Sequence, residues 1–213
     1  MSPLLEQPLK FFVVFFVVVE PISLIPLFSG LTVGAAAQFK RRMAFKAVSI
    51  AAAILLLFAV GGAAFLTVMG ISLEAFRIFG GLLLFLLALE MVFARQSGTR
   101  TSSDEAAEAR QRTDISVFPL AFPFIAGPGA LATILLWFGP LHATANPTLF
   151  LLLLVAVAVV LALALICLLL ADPLMGVLGV TGANVSSRLL GVILGALAVQ
   201  FVLDGLRQSF GVS

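Results

Sequence analysis

Phe11 to Phe28 reads FFVVFFVVVEPISLIPLF. The stretch is apolar enough to sit in lipid, yet it carries Glu20, Pro21, Ser23 and Pro26. Counted from Lys10 at 1.5 Å per residue, Glu20 falls about 15 Å deep, near the centre of a hydrocarbon layer about 30 Å thick. A charged group there costs about 2.5–3.5 kcal/mol on insertion scales. Pro21 removes a backbone donor and clashes with the carbonyl of Val17, and Pro26 is expected to do the same to Ile22. Interrupted backbone at that depth is tolerated only against protein or a watery cavity. The stretch therefore predicts a membrane helix broken for a purpose.

Composition sets the class. Of 213 residues, 62% are hydrophobic and 10% charged, and the mean hydropathy is +1.23. A soluble domain has no use for so much apolar surface. Lipid requires each spanning segment to satisfy its own backbone, so the expectation is an all-α membrane protein. A net charge of +2 is too small to point to nucleic acid. The single cysteine, Cys167, excludes a disulfide framework and a cysteine metal site. No motif for a nucleotide or other cofactor is present, so neither metal nor cofactor is expected. The start, MSPLLEQPLK, has neither a basic n-region nor a cleavage site, so no removable signal peptide is expected.

A span needs about 20 apolar residues. Six runs qualify, at about 11–33, 47–70, 75–94, 115–138, 147–171 and 187–207. The polar connector RQSGTRTSSDEAAEARQRTDIS, Arg95 to Ser116, divides them into two groups of three. The expected organisation is a first three-helix unit over 1–94, the connector over 95–116, and a second unit over 117–213. Lys40, Arg41, Arg42, Lys46, Arg95, Arg100, Arg110, Arg112 and Arg188 fall on one side, against Lys10, Arg77 and Arg207 on the other. That imbalance puts the connector in the cytoplasm and both termini outside, in a multi-pass protein of the cell (inner) membrane.

The two units resemble each other. FRIFGGLLLFLLALE (Phe76–Glu90) matches SRLLGVILGALAVQF (Ser187–Phe201), pairing Arg77 with Arg188, Gly80 with Gly191 and Glu90 with Gln200. VEPISLIPLF matches AGPGALATIL at a similar offset, laying Pro21 over Pro128. A duplicated unit with three spans must cross the membrane in the opposite sense, which predicts two inverted three-helix repeats.

The second unit repeats the break with PLAFPFIAGPGALAT, where Pro119, Pro123 and Pro128 join Gly127 and Gly129. Broken helices 1 and 4 are therefore expected at equal depth. A half-helix restarting after a break offers free N–H groups and a positive dipole end to a carboxylate. Unwound carbonyls suit an ammonium group or a coupling ion such as a proton or sodium. The combination predicts a substrate site for a small zwitterionic solute, built from Glu20, Pro21, Ser23, Pro26, Gly127, Pro128, Gly129 and Thr133. Ser23 and Thr133 would add hydroxyls, and the glycines close backbone approach. Glu20 has three open roles: ionised partner of an ammonium group, protonated hinge clamp, or proton-coupling carboxylate. Glu90 and Asp204 read as interface residues, Arg77 and Arg188 as snorkelling anchors, and His142 as a loop residue.

These residues also carry a family resemblance. Through EPISLIPLF, AFRIFGGLLLFLLALEM, PLAFPFIAGPGALAT and SRLLGVILGALAVQFVLDGL, the chain resembles the MarC-type integral membrane proteins over nearly its whole length. Members of that family include small neutral amino acid transporters. The resemblance implies two inverted three-helix repeats and movement of glycine, alanine and similar solutes. In the family's first motif Glu20 stands where aspartate or asparagine is usual and Ser23 where glycine is usual, while Pro21 and Pro26 match.

Two other classes compete with the transporter reading. An intramembrane enzyme needs a nucleophile with a base or a metal cluster at depth, and Ser23 beside Glu20 is the one pair on offer. A structural or regulatory membrane protein would dock a partner through the connector, and it gives the paired breaks no purpose.

Overall fold

The structure, a computed structural model, describes residues 3–93, 114–141 and 146–211. Connector residues 95–113, with Arg95, Arg100, Arg110 and Arg112, and the loop residue His142 lie outside the described residues. The described residues are all-helical, in eight pieces: α1 (Pro3–Val19), α2 (Leu24–Leu31), α3 (Ala37–Val68), α4 (Leu73–Phe93), α5 (Ser116–Ile125), α6 (Pro128–Phe138), α7 (Pro147–Leu169) and α8 (Ala171–Ser209). Among the described residues, five segments are long and apolar enough to cross a membrane: Glu6–Leu31, Ala37–Val68, Leu73–Phe93, Pro147–Leu169 and Thr181–Ser209. The pair α5–α6, bent by 53°, makes a sixth when taken as one span.

The first break falls where the sequence places it. Glu20 still donates its N–H to the Phe16 carbonyl at 2.9 Å, but its φ is 53°, a left-handed turn unusual for a residue other than glycine. Pro21 cannot supply the next helical donor. A turn closed by Ser23 N–H to the Glu20 carbonyl at 3.0 Å leads into α2. Pro26, expected to break the chain a second time, does not. It lies in the first turn of α2, where a missing N–H costs no helical bond. The Ile22 carbonyl accepts instead from Ile25 N–H at 3.2 Å.

The second break is more extensive than the first. Phe118 (φ −125°, ψ 127°) and Phe122 (φ −133°, ψ 130°) are extended, because each precedes a proline that disfavours the α region. Around each of them the chain makes a wide turn, with Leu120 N–H bonding the Ile115 carbonyl at 3.3 Å and Ala126 N–H the Ala121 carbonyl at 2.8 Å. Gly127 is extended, and Pro128 opens α6 at the position where its fixed φ is already helical. Two helices, α3 and α8, run well beyond the apolar runs. α3 begins ten residues before its expected span, and α8 begins directly after α7 and kinks at Gly179, whose φ is 61°.

Polar contacts fix the ends of the bundle. Lys46 pairs with Asp114, and Lys40 with Asp172 at 2.8 Å, gathering the starts of α3, α5 and α8 at one end. At the other end Arg77 donates to Gln208 at 2.6 Å, joining the start of α4 to the end of α8. Phe11 packs edge-on to Trp137 and Phe138, and Phe138 edge-on to Phe150, which closes α1, α6 and α7 together.

The most extensive contact is α4 against α8, antiparallel and lined by glycines. A Cβ on Gly81 would lie 2.9 Å from the Ala198 carbonyl and 2.8 Å from Val202. One on Gly191 would lie 3.1 Å from the Ala88 carbonyl and 3.1 Å from Val92. In lipid, small residues allow backbones to come this close, and dispersion then holds the pair. Exchanging Gly81 for Gly191, Ala198 for Ala88 and Val202 for Val92 turns one set of contacts into the other. The counterpart of Gly191 in this packing is Gly81, one residue on from Gly80, which instead faces Ala132 and Leu136 of α6.

The candidate solute site at the two helix breaks

A cavity of about 200 Å³ lies against the second break. Its walls are Val18 of α1, Leu83 and Leu87 of α4, Pro123 and Phe124 of α5, and the turn Gly127–Ala130. Among the described residues, no ionisable side chain lines it. Polarity comes from the backbone: Pro128 opens α6, so the amides of Gly129 and Ala130 have no carbonyl one turn behind them within the helix. That end of the helix carries the positive pole of the macrodipole. The volume is below the roughly 300–1,000 Å³ of pockets for drug-sized ligands, which suits a small solute.

Gly127 is fixed by the protein's own backbone, Gly129 by side chains packed around it. A Cβ on Gly127 would stand 2.1 Å from the Pro123 carbonyl oxygen, so the turn closes only without one. A Cβ on Gly129 would come within 3.2–3.3 Å of Val18, Leu84 and Leu87, of which Val18 and Leu87 line the cavity.

The first break presents side chains instead. Glu20 is 2% exposed. Ser23 Oγ donates to Glu20 Oε1 at 2.5 Å, and Ser187 Oγ of α8 lies 2.6 Å from Ser23 Oγ. Pro21 is buried beside them and Pro26 half-buried.

The structure thus divides the residues singled out in the sequence. Gly127, Pro128 and Gly129 line the cavity; Glu20 and Ser23 form a polar chain with Ser187; and Val18, two residues ahead of Glu20, belongs to the cavity wall. Thr133 is fully buried, and its hydroxyl donates to the Gly129 carbonyl at 2.9 Å within α6. Arg77 bonds Gln208, Asp204 accepts from Gln200 at 2.8 Å, and Arg188 is exposed. Sequence reasoning missed Ser187, Leu83 and Leu87. Ser187 stood in plain view at the head of SRLLGV, but nothing local connects it with Ser23.

Asp114, at the head of α5, is held by Lys46, by the Ser116 hydroxyl at 2.5 Å and by the Ser116 amide at 3.0 Å. The Lys46 and Ser116 bonds keep its carboxyl well below the usual carboxylate range.

Helices of spanning length, an apolar exterior and two interrupted segments define a multi-pass integral membrane protein. The chain belongs to the family described as MarC family integral membrane protein, which matches residues 5–210. It is 32% identical over 203 residues to a UPF0056 membrane protein of Buchnera aphidicola subsp. Schizaphis graminum, covering 95% of this chain and 92% of that one. It is 32% identical over 201 residues to the UPF0056 membrane protein YhcE of Escherichia coli, covering 94% and 92%. A UPF0056 membrane protein of Aquifex aeolicus is 34% identical over 199 residues, covering 93% and 92%. No solved structure matches the chain.

Proposed function

We propose that this protein is a secondary transporter of small neutral amino acids such as glycine or alanine, working by alternating access between two inverted three-helix repeats. The observation that carries the reading is the small cavity at the start of α6, walled on one side by Val18 just ahead of the first break. The amides of Gly129 and Ala130 would receive the solute carboxylate. Glu20 and the interrupted backbone beside it offer acceptors for an ammonium group or a coupling proton or sodium ion. The volume and the apolar walls favour a solute with a short side chain.

The repeat reading draws support from helix pairing as well as sequence. Exchanging the units carries α1 on α7 into α5 on α3, and α2 on α8 into α6 on α4, each of which occurs. Such pseudo-symmetry lets the two breaks trade places as the units rock. The distribution of basic residues supports placement in the cytoplasmic membrane with both termini outside. We read the chain as a carrier, with no enzymatic step.

Uptake and counterflow of labelled glycine, alanine and serine in proteoliposomes test this, with Glu20→Gln beside the wild type. Flux that falls in the variant and follows a pH or sodium gradient is the expected result. Absence of flux for all three solutes in folded wild-type protein would remove the amino acid reading.

A further inference from the structure

The cavity accounts for the second break, but not for the contact that holds the first one. Ser23 Oγ has one proton, and it goes to Glu20 Oε1 at 2.5 Å. The 2.6 Å bond between the two serine hydroxyls must then be donated by Ser187. The chain of donation runs from Ser187 to Ser23 to the carboxylate, each bond polarising the next. Ser187 lies on α8, which packs along α4, and α4 supplies Leu83 and Leu87 to the cavity wall.

We infer that Ser187 is a positioning residue of the first break: through Ser23 it aims the Glu20 carboxylate, and through α8 it ties that carboxylate to α4, the helix whose Leu83 and Leu87 wall the cavity. The positioning stands on the hydrogen-bonded chain alone, while its consequence for solute flux rests on the proposed function.

Infrared spectroscopy of the purified protein tests the positioning without any solute. The Glu20 carboxyl band is assigned by its loss in Glu20→Gln. Ser187→Ala is expected to shift that band, and Ser187→Thr, which keeps the hydroxyl, to leave it in place. Ser23→Ala should shift it too, and adding Ser187→Ala to Ser23→Ala should then change nothing more. A band unmoved by Ser187→Ala, or moved equally by Thr, would overturn the inference, as would a further shift in the double variant.

In proteoliposomes, Ser187→Ala is expected to lower maximal glycine exchange by roughly three- to tenfold, the worth of one hydrogen bond. KM should stay within about twofold, and Ser187→Thr should restore the rate. Unchanged exchange in Ser187→Ala would contradict the functional half of the inference. A wild type that moves none of the three amino acids would defeat the proposed function, and the infrared result would still decide the positioning.

Discussion

Gly81 and Gly191 occupy equivalent places in one interface: each faces the backbone carbonyl of an alanine, Ala198 or Ala88, on the opposite helix. This relationship makes the α4–α8 contact the seam between the two halves of the chain. A side chain larger than hydrogen at either position meets backbone atoms, which cannot rotate away.

Gly81→Val and Gly191→Val should therefore each destabilise the protein by about 1–3 kcal/mol or more through overpacking. Gly195 provides the control. A Cβ there would sit 3.6 Å from Ala88 Cβ, an ordinary contact, and alanine favours a helix over glycine by up to about 1 kcal/mol. Unfolding temperatures in detergent should fall for the first two variants and hold or rise for Gly195→Ala. Equal behaviour of all three would mean that close backbone approach does not hold this seam.

At the second break the contrast lies between neighbours. Gly127→Ala places a methyl group against the Pro123 carbonyl, and the turn must reopen. The expected result is a marked loss of thermal stability, with whatever solute flux the protein supports. Pro128→Ala changes an exposed first-turn residue with no helical donor to lose, and should cost under about 1 kcal/mol. A tolerated Gly127→Ala would show that the turn has another geometry.

The Lys46–Asp114 pair predicts a pH window. Its carboxyl is depressed in the folded state, so the stabilisation is fully present above the unfolded value of about 3.9 and fades as pH falls below it. Both partners are partly exposed, which limits the effect to about 1 kcal/mol. The difference in unfolding temperature between wild type and Asp114→Asn should hold from pH 7 to about 5 and close below about pH 4. Closure already between pH 7 and 5 would assign the titration to another group.

The ion pairs also predict topology. α3 is 32 residues long, about 48 Å, and separates Lys40 and Lys46 from the start of α4 at Arg77. With Cys167→Ser as background, cysteines at Lys46 and Arg77 should react with an impermeant maleimide from opposite faces of the membrane. Labelling of both from the same face would contradict the bundle's arrangement.

Much of this protein was legible in the order of its residues. Length, apolarity and charge determined an all-helical membrane protein, because lipid leaves no other way to satisfy the backbone. Proline and glycine located both breaks, because their backbone limits are local and act wherever they stand. Position within an element was less readable. Pro26 looked disruptive until the start of α2 turned out to lie just ahead of it, where its missing donor is harmless.

Only the tertiary structure decided what meets at each break. Ser187 joins Ser23 across more than 160 intervening positions, and Leu83 and Leu87 wall a cavity that opens on Gly127 and Gly129, some 40 positions further along the chain. Even the helix seam resolved on Gly81 when similarity had aligned Gly80. In a chain so uniformly apolar, dozens of leucines and glycines look alike to a local reading. Which of them touch depends on helix rotation and register, and those are settled by packing between segments far apart in the chain.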